Sequence, residues 1–255
     1  MKKIINWQLF FILLAASIVT TLFVFPYQLA LSPALAQAFT PLLLVGAIIQ
    51  GAVMFSIFIF VGLLLARRYN LGLPIVEGLL KGENQTKQIK SILWPSIAFG
   101  SLGGVLIILL SFLWPSLAVT FLKAETLVAP WKGFLASFYG GIGEEIFARL
   151  FLMTLFIWFI SKIKRSSKSA ASNATVWTAI ILSSILFGLG HLPITSGITA
   201  ITTSVVLRAI LLNGIVSVMF GWLYWKKGLE SAMIAHFSAD IVLHVITPFV
   251  VLMFL

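Results

Sequence analysis

The chain has 255 residues, 60% of them hydrophobic and only 9% Asp, Glu, Lys or Arg, with a mean hydropathy of +1.11. So apolar a composition excludes a soluble domain, and repeated apolar runs of roughly 20 residues are those of transmembrane helices rather than of shorter, alternating barrel strands. The formal net charge of +10 does not point to nucleic acid, because the basic residues fall in short loops between apolar runs, as the positive-inside rule requires; the lack of Cys excludes thiol chemistry and disulfides.

Lys2 and Lys3 precede a first apolar run, Trp7 to Phe25. Ala34-Leu35-Ala36 and Ala36-Gln37-Ala38 resemble signal-peptidase sites, but the run is longer than a signal-peptide core and is read as a retained helix. A second helix is predicted over Phe39 to Ala66, closed by Arg67 and Arg68, and the basic loop that follows to Lys90 reads as cytoplasmic. A third runs from Ser91 to Trp114, with Pro115 helping to end it. The segment Pro115 to Pro130, with one Lys and one Glu, reads as an outer loop. The fourth run, Trp131 to Ile160, is long for a perpendicular span and is expected to tilt or to start in the interface.

Lys162, Lys164, Arg165 and Lys168 mark another cytoplasmic loop, and a fifth helix, Ala174 to His191, is closed by Leu192-Pro193. The sixth, Ser204 to Trp225, ends at Lys226-Lys227, and the seventh covers Ser231 to Leu255. This reading puts the N-terminus in the cytoplasm and all basic residues except Lys123, Lys132, Arg149 and Arg208 on that side. The fold class is therefore all-α, a polytopic transmembrane helical bundle of seven spans. Eight spans result if two short helices share Ile194 to Trp225. No internal repeat is evident, so 1–255 reads as a single membrane domain, with three N-terminal helices in 1–130 and the chemistry in 131–255. The expected setting is the plasma membrane of a prokaryote.

Polar residues are sparse in these runs and cluster. Glu144-Glu145 and Arg149 sit in the middle of the fourth, after Gly140-Gly141-Ile142-Gly143. Ionisable groups at such depth are costly by several kcal/mol and mark function by default. On a helix Glu145 and Arg149 share a face and can pair, whereas Glu144 is turned about 100° away. A carboxylate left free to take up and return a proton is what a general base requires. All three histidines lie in or at the end of apolar segments: His191 after Phe187-Gly188-Leu189-Gly190, His236 four residues before Asp240, and His244 four further on. Glu144, His191 and His236 each count to ~15–25 Å from a membrane face, which is compatible with one shared layer. His244 taken alone reads as an interhelical hydrogen-bonding residue, and Arg208 as a snorkelling one. The glycines read as close-packing positions that let polar side chains converge.

Glu144-Glu145 with Arg149, Phe187 with His191, and His236 with Asp240, in this order on three apolar segments, resemble the motifs of the CAAX prenyl-protease and bacteriocin-processing family, also called Abi. The resemblance covers about Gly133 to His244. It implies an intramembrane endopeptidase acting on membrane-associated, prenylated or leader peptides. By the same resemblance Glu144 activates a water with help from His191, His236 and Asp240 stabilise the oxyanion, and Glu145 with Arg149 braces the first motif. Many members carry Asn where this chain has Asp240, and an ionised Asp cannot donate to an oxyanion. That departure leaves a second set open, in which Glu144, His191, His236 and Asp240 ligate a divalent metal such as zinc around a water; metal-independent catalysis is the favoured reading. The expected partners are the bilayer and a peptide or membrane-protein substrate. A proton-coupled transporter would bury similar residues, with Asp240 and His244 in a proton relay, and a non-catalytic scaffold or immunity protein could retain them.

Overall fold

A computed structural model of the chain describes residues 5–164 and 171–253, so that Lys2, Lys3, Arg165 and Lys168 lie outside the described residues. Seven helices in it are long and apolar enough to cross a membrane: α1 (Trp7–Leu31), α2 (Pro41–Tyr69), α3 (Thr86–Ser111), α4 (Pro130–Ile163), α5 (Asn173–Thr195), α6 (Thr203–Lys227) and α7 (Leu229–Met253). The described residues contain no strand. The protein is an all-α polytopic bundle with seven candidate spans. Thr203 to Lys227 is one continuous helix, so the two-helix division of this region does not occur.

The helix starts have local causes. Asn6, Thr40, Ser172 and Thr202 each accept a hydrogen bond from the amide three residues on, at 3.2, 3.2, 3.2 and 3.3 Å, which satisfies donors that a first helical turn leaves open. Pro41 and Pro130 occupy first-turn positions, where a missing amide proton costs nothing. Gly228, with φ of 99°, supplies the left-handed corner between α6 and α7.

The segments between spans are more ordered than loops. Pro74–Leu80 is a short helix whose Ile75 and Val76 amides donate to the carboxylate of Glu230, at 2.9 and 3.0 Å. Pro115–Thr126, expected as a loop, is also helical: Pro115 starts it, and nothing between there and Thr126 breaks a helix.

Packing brings α5 along α6, α3 along α7, and α1 along α2 and α4. Small residues allow the closest approaches. A Cβ at Gly100 of α3 would strike the Ala235 carbonyl of α7, and one at Gly133 of α4 the His244 carbonyl. Without a hydrophobic effect between helices in lipid, such backbone proximity is a main source of cohesion. Leu42, Val45, Ile49 and Val53 of α2 and Leu102 and Leu109 of α3 are exposed, as apolar residues are when a helix faces acyl chains.

Candidate active site

The motif of α4 lies in wide turns. Tyr139–Glu144 and Ile146–Met153 have the i→i+5 pattern of π-helix, as does Ile241–Ile246 immediately after Asp240; such turns recur at functional sites. Antiparallel α4 and α7 are in contact at these levels. A Cβ at Gly140 would collide with Oδ2 of Asp240 and lie 3.2 Å from Nε2 of His236. A side chain at this position would have to displace the Asp240 carboxylate from where it sits beside His236.

Glu145 is the most committed of the acids. Both it and Arg149 are fully buried, with Arg149 Nε 3.2 Å from Glu145 Oε2, while Glu145 Oε1 accepts from His236 Nδ1 at 2.8 Å. The Arg149 contact is an ion pair by distance and lacks hydrogen-bond alignment. Arg149 also donates from Nη2 to the Ser217 carbonyl of α6 at 3.0 Å. Its guanidinium lies 5.3 Å from the ring of Phe187 and 5.8 Å from that of Phe220, within the range of cation–π attraction.

His236 is the hub. Phe220 stacks on its ring at 4.9 Å and 26°, and Phe187 meets it near edge-on at 5.8 Å. With Nδ1 given to Glu145, Nε2 faces Glu144 Oε2 at 3.7 Å and Asp240 Oδ1 at 3.6 Å. Glu144 keeps 28% of its side chain accessible, against none for Glu145. One acid of the pair is thus reachable and the other enclosed, and the reachable one sits beside His236 rather than apart from every partner.

His191 ends the main helical run of α5, and its Nδ1 is 2.9 Å from the Phe187 carbonyl one turn back. Its ring also packs near edge-on against Phe187 at 4.7 Å. The Phe of the second motif therefore touches His191, His236 and Arg149 together. Among the described residues no hydrogen bond or ion pair joins His191 to Glu144. Nor are any three His, Asp or Glu side chains among them grouped to hold a metal ion; the set Glu144, His191, His236 and Asp240 does not fit one as it stands.

Two residues that the sequence did not single out extend the polar face of α7. His244 Nδ1 lies 2.8 Å from the Tyr27 hydroxyl of α1 and 3.2 Å from Glu125 Oε1, and Tyr27 donates to the same Glu125 oxygen. The carboxylate of the segment between α3 and α4 thus points inward, tying three elements together. Arg208 lies over the Phe121 ring at 4.1 Å, four residues before Glu125 on the same short helix.

Residues 125–242 match the family model described as Type II CAAX prenyl endopeptidase Rce1-like. No curated protein and no solved structure matches the chain. The matched stretch starts at Glu125 and takes in Glu144, Glu145, Arg149, His191, His236 and Asp240. The helices that carry the carboxylate–histidine cluster are accordingly similar to the type II CAAX prenyl endopeptidases of that model.

Proposed function

We propose that the protein is an intramembrane endopeptidase in which Glu144 is the general base. The observation that supports this most is the unequal environment of the adjacent acids: Glu145 is buried against Arg149 and His236, while Glu144 remains accessible next to His236 Nε2. A base must be reachable by water and substrate; a brace need not be. A water held by Glu144 gives it a proton as its oxygen attacks the scissile carbonyl, and Glu144 returns that proton to the leaving amide nitrogen. His236, oriented through Nδ1 by Glu145, offers an Nε2–H toward the developing oxyanion in its imidazolium form, with Asp240 as the second donor in its protonated form.

His191, whose Nδ1 is held at the Phe187 carbonyl, assists the water through its other ring nitrogen in this reading. Catalysis in this reading is metal-independent. Substrates are prenylated, leader-type or other membrane-associated peptides, and the N-terminus lies in the cytoplasm of a prokaryotic cell.

The test uses purified protein and a fluorogenic membrane-anchored peptide. Glu144→Gln is expected to abolish cleavage while the unfolding profile in detergent stays at the wild-type position. Full activity in that variant removes Glu144 as the base. Failure of the wild type to cleave any of a panel of prenylated and leader peptides, together with proton flux in proteoliposomes, would favour a transporter.

A further inference from the structure

On the face of the bundle where α1 begins and α6 ends, there is a cavity of about 1280 Å³. It is separate from the carboxylate–histidine cluster. Ser217, which receives Arg149, and Trp225, which lines this cavity, are about 12 Å apart along α6 at ~1.5 Å per residue.

Its charge is one-sided. Arg67, Lys81, Lys87, Lys226 and Lys227 line it, against the single carboxylate of Glu77. That carboxylate is turned to the backbone, its Oε1 accepting from the Leu73 amide at 3.4 Å. The walls are built rather than loose. Glu230 fixes the short helix Pro74–Leu80 through two amides, and the Leu229 amide donates to the Gly72 carbonyl at 2.9 Å. Trp7 and Trp225 also line the cavity, and Lys226 Nζ lies 3.4 Å from the Trp225 ring centre. Tryptophan at the ends of spans sits at headgroup depth, where the anions a protein meets carry phosphate.

We propose that this cavity binds a phosphate-bearing anion at the membrane face, whether the phosphate belongs to an anionic lipid headgroup or is free. Dispersed positive charge on an inner loop attracts anionic lipid diffusely. A cavity lined by several cations binds one anion per chain, and that stoichiometry separates the two.

The experiment takes the full chain in detergent and titrates it with phosphatidylglycerol, counted by native mass spectrometry, and separately with radiolabelled inorganic phosphate in equilibrium dialysis. Saturation near one per chain is expected for at least one probe. Binding of lipid alone assigns the site to a headgroup, binding of phosphate alone to a soluble anion, and binding of both to the phosphate group itself. Lys81, Lys87 and Lys227 are exposed, so Lys81→Gln/Lys87→Gln/Lys227→Gln leaves the core intact. It should weaken binding on the order of 100-fold, from ~1 kcal/mol per lysine. Lys162→Gln/Lys164→Gln, on the same face but outside the cavity, should leave it unchanged. The proposal is overturned if neither probe saturates, or if the control pair weakens binding as much as the cavity triple does.

Discussion

Replacing Arg149 by Ala removes the partner of a carboxylate that has no access to water. In the native protein Glu145 is answered by Arg149 on Oε2 and by His236 on Oε1; the variant keeps only the second. Removing one member of a buried pair costs roughly 3–5 kcal/mol, because the charge left behind cannot be solvated. Against a native stability of roughly 5–15 kcal/mol this is a large fraction. At roughly 2–4 °C per kcal/mol for a chain of this size, the midpoint falls by about 6–20 °C. Circular dichroism in detergent during heating measures it directly. Glu145→Gln/Arg149→Met is the decisive companion: it removes both charges at similar volume, and Gln can still accept from His236 Nδ1. Neutralising a buried pair in this way is typically neutral or stabilising, so the double variant should melt within a few degrees of wild type. A single variant that melts like wild type, or a double variant as unstable as the single, refutes the reasoning.

Asp240→Asn should retain or raise peptide cleavage, since an amide always donates, while Asp240→Leu should lose about 10²- to 10³-fold in rate; an Asn variant as inactive as the Leu variant would rule out an oxyanion role. Activity should survive exhaustive chelation, with elemental analysis finding no stoichiometric metal, whereas loss on chelation reversed by one particular divalent ion would make Asp240 a ligand. Gly100→Ala should destabilise by roughly 1–3 kcal/mol, because its Cβ meets the Ala235 carbonyl and α3 and α7 must part. Gly46→Ala, with nothing within 4 Å of the added atom, should not destabilise. Melting temperatures in the opposite order would contradict the packing account.

The polar residues of the cluster were legible because a bilayer makes them conspicuous: acids, bases and imidazoles in otherwise apolar runs need no knowledge of the fold to be found. The span positions followed from the same contrast. Phe187 could be named from its motif, but that it touches Arg149, His191 and His236 at once depends on how α4, α5 and α7 cross. Glu125 and Tyr27 escaped for a different reason. A lone Glu between two apolar runs looks solvated, and a Tyr within an apolar run looks like any aromatic. Only the helix at Pro115–Thr126, which aims Glu125 inward, gives the pair its meaning. The wide turns around Glu144 have no sequence period of their own and were read as ordinary helix, which still put Glu145 and Arg149 together.

Those wide turns set a rule for chain length. A π turn is an α-helix holding one surplus residue, so a deletion between Phe138 and Glu144 need not break the helix; the backbone can relax to the tighter winding with its hydrogen bonds intact. The parts of α4 on either side would keep their phase, so Gly133, seated on the His244 carbonyl, and Glu145, seated on His236, could still both meet α7; what would be lost is the wide turn between them. A second deletion there would find no surplus residue to release and would turn the two anchor points about 100° apart, so between them the residue count is as much a component of the site as the acids themselves.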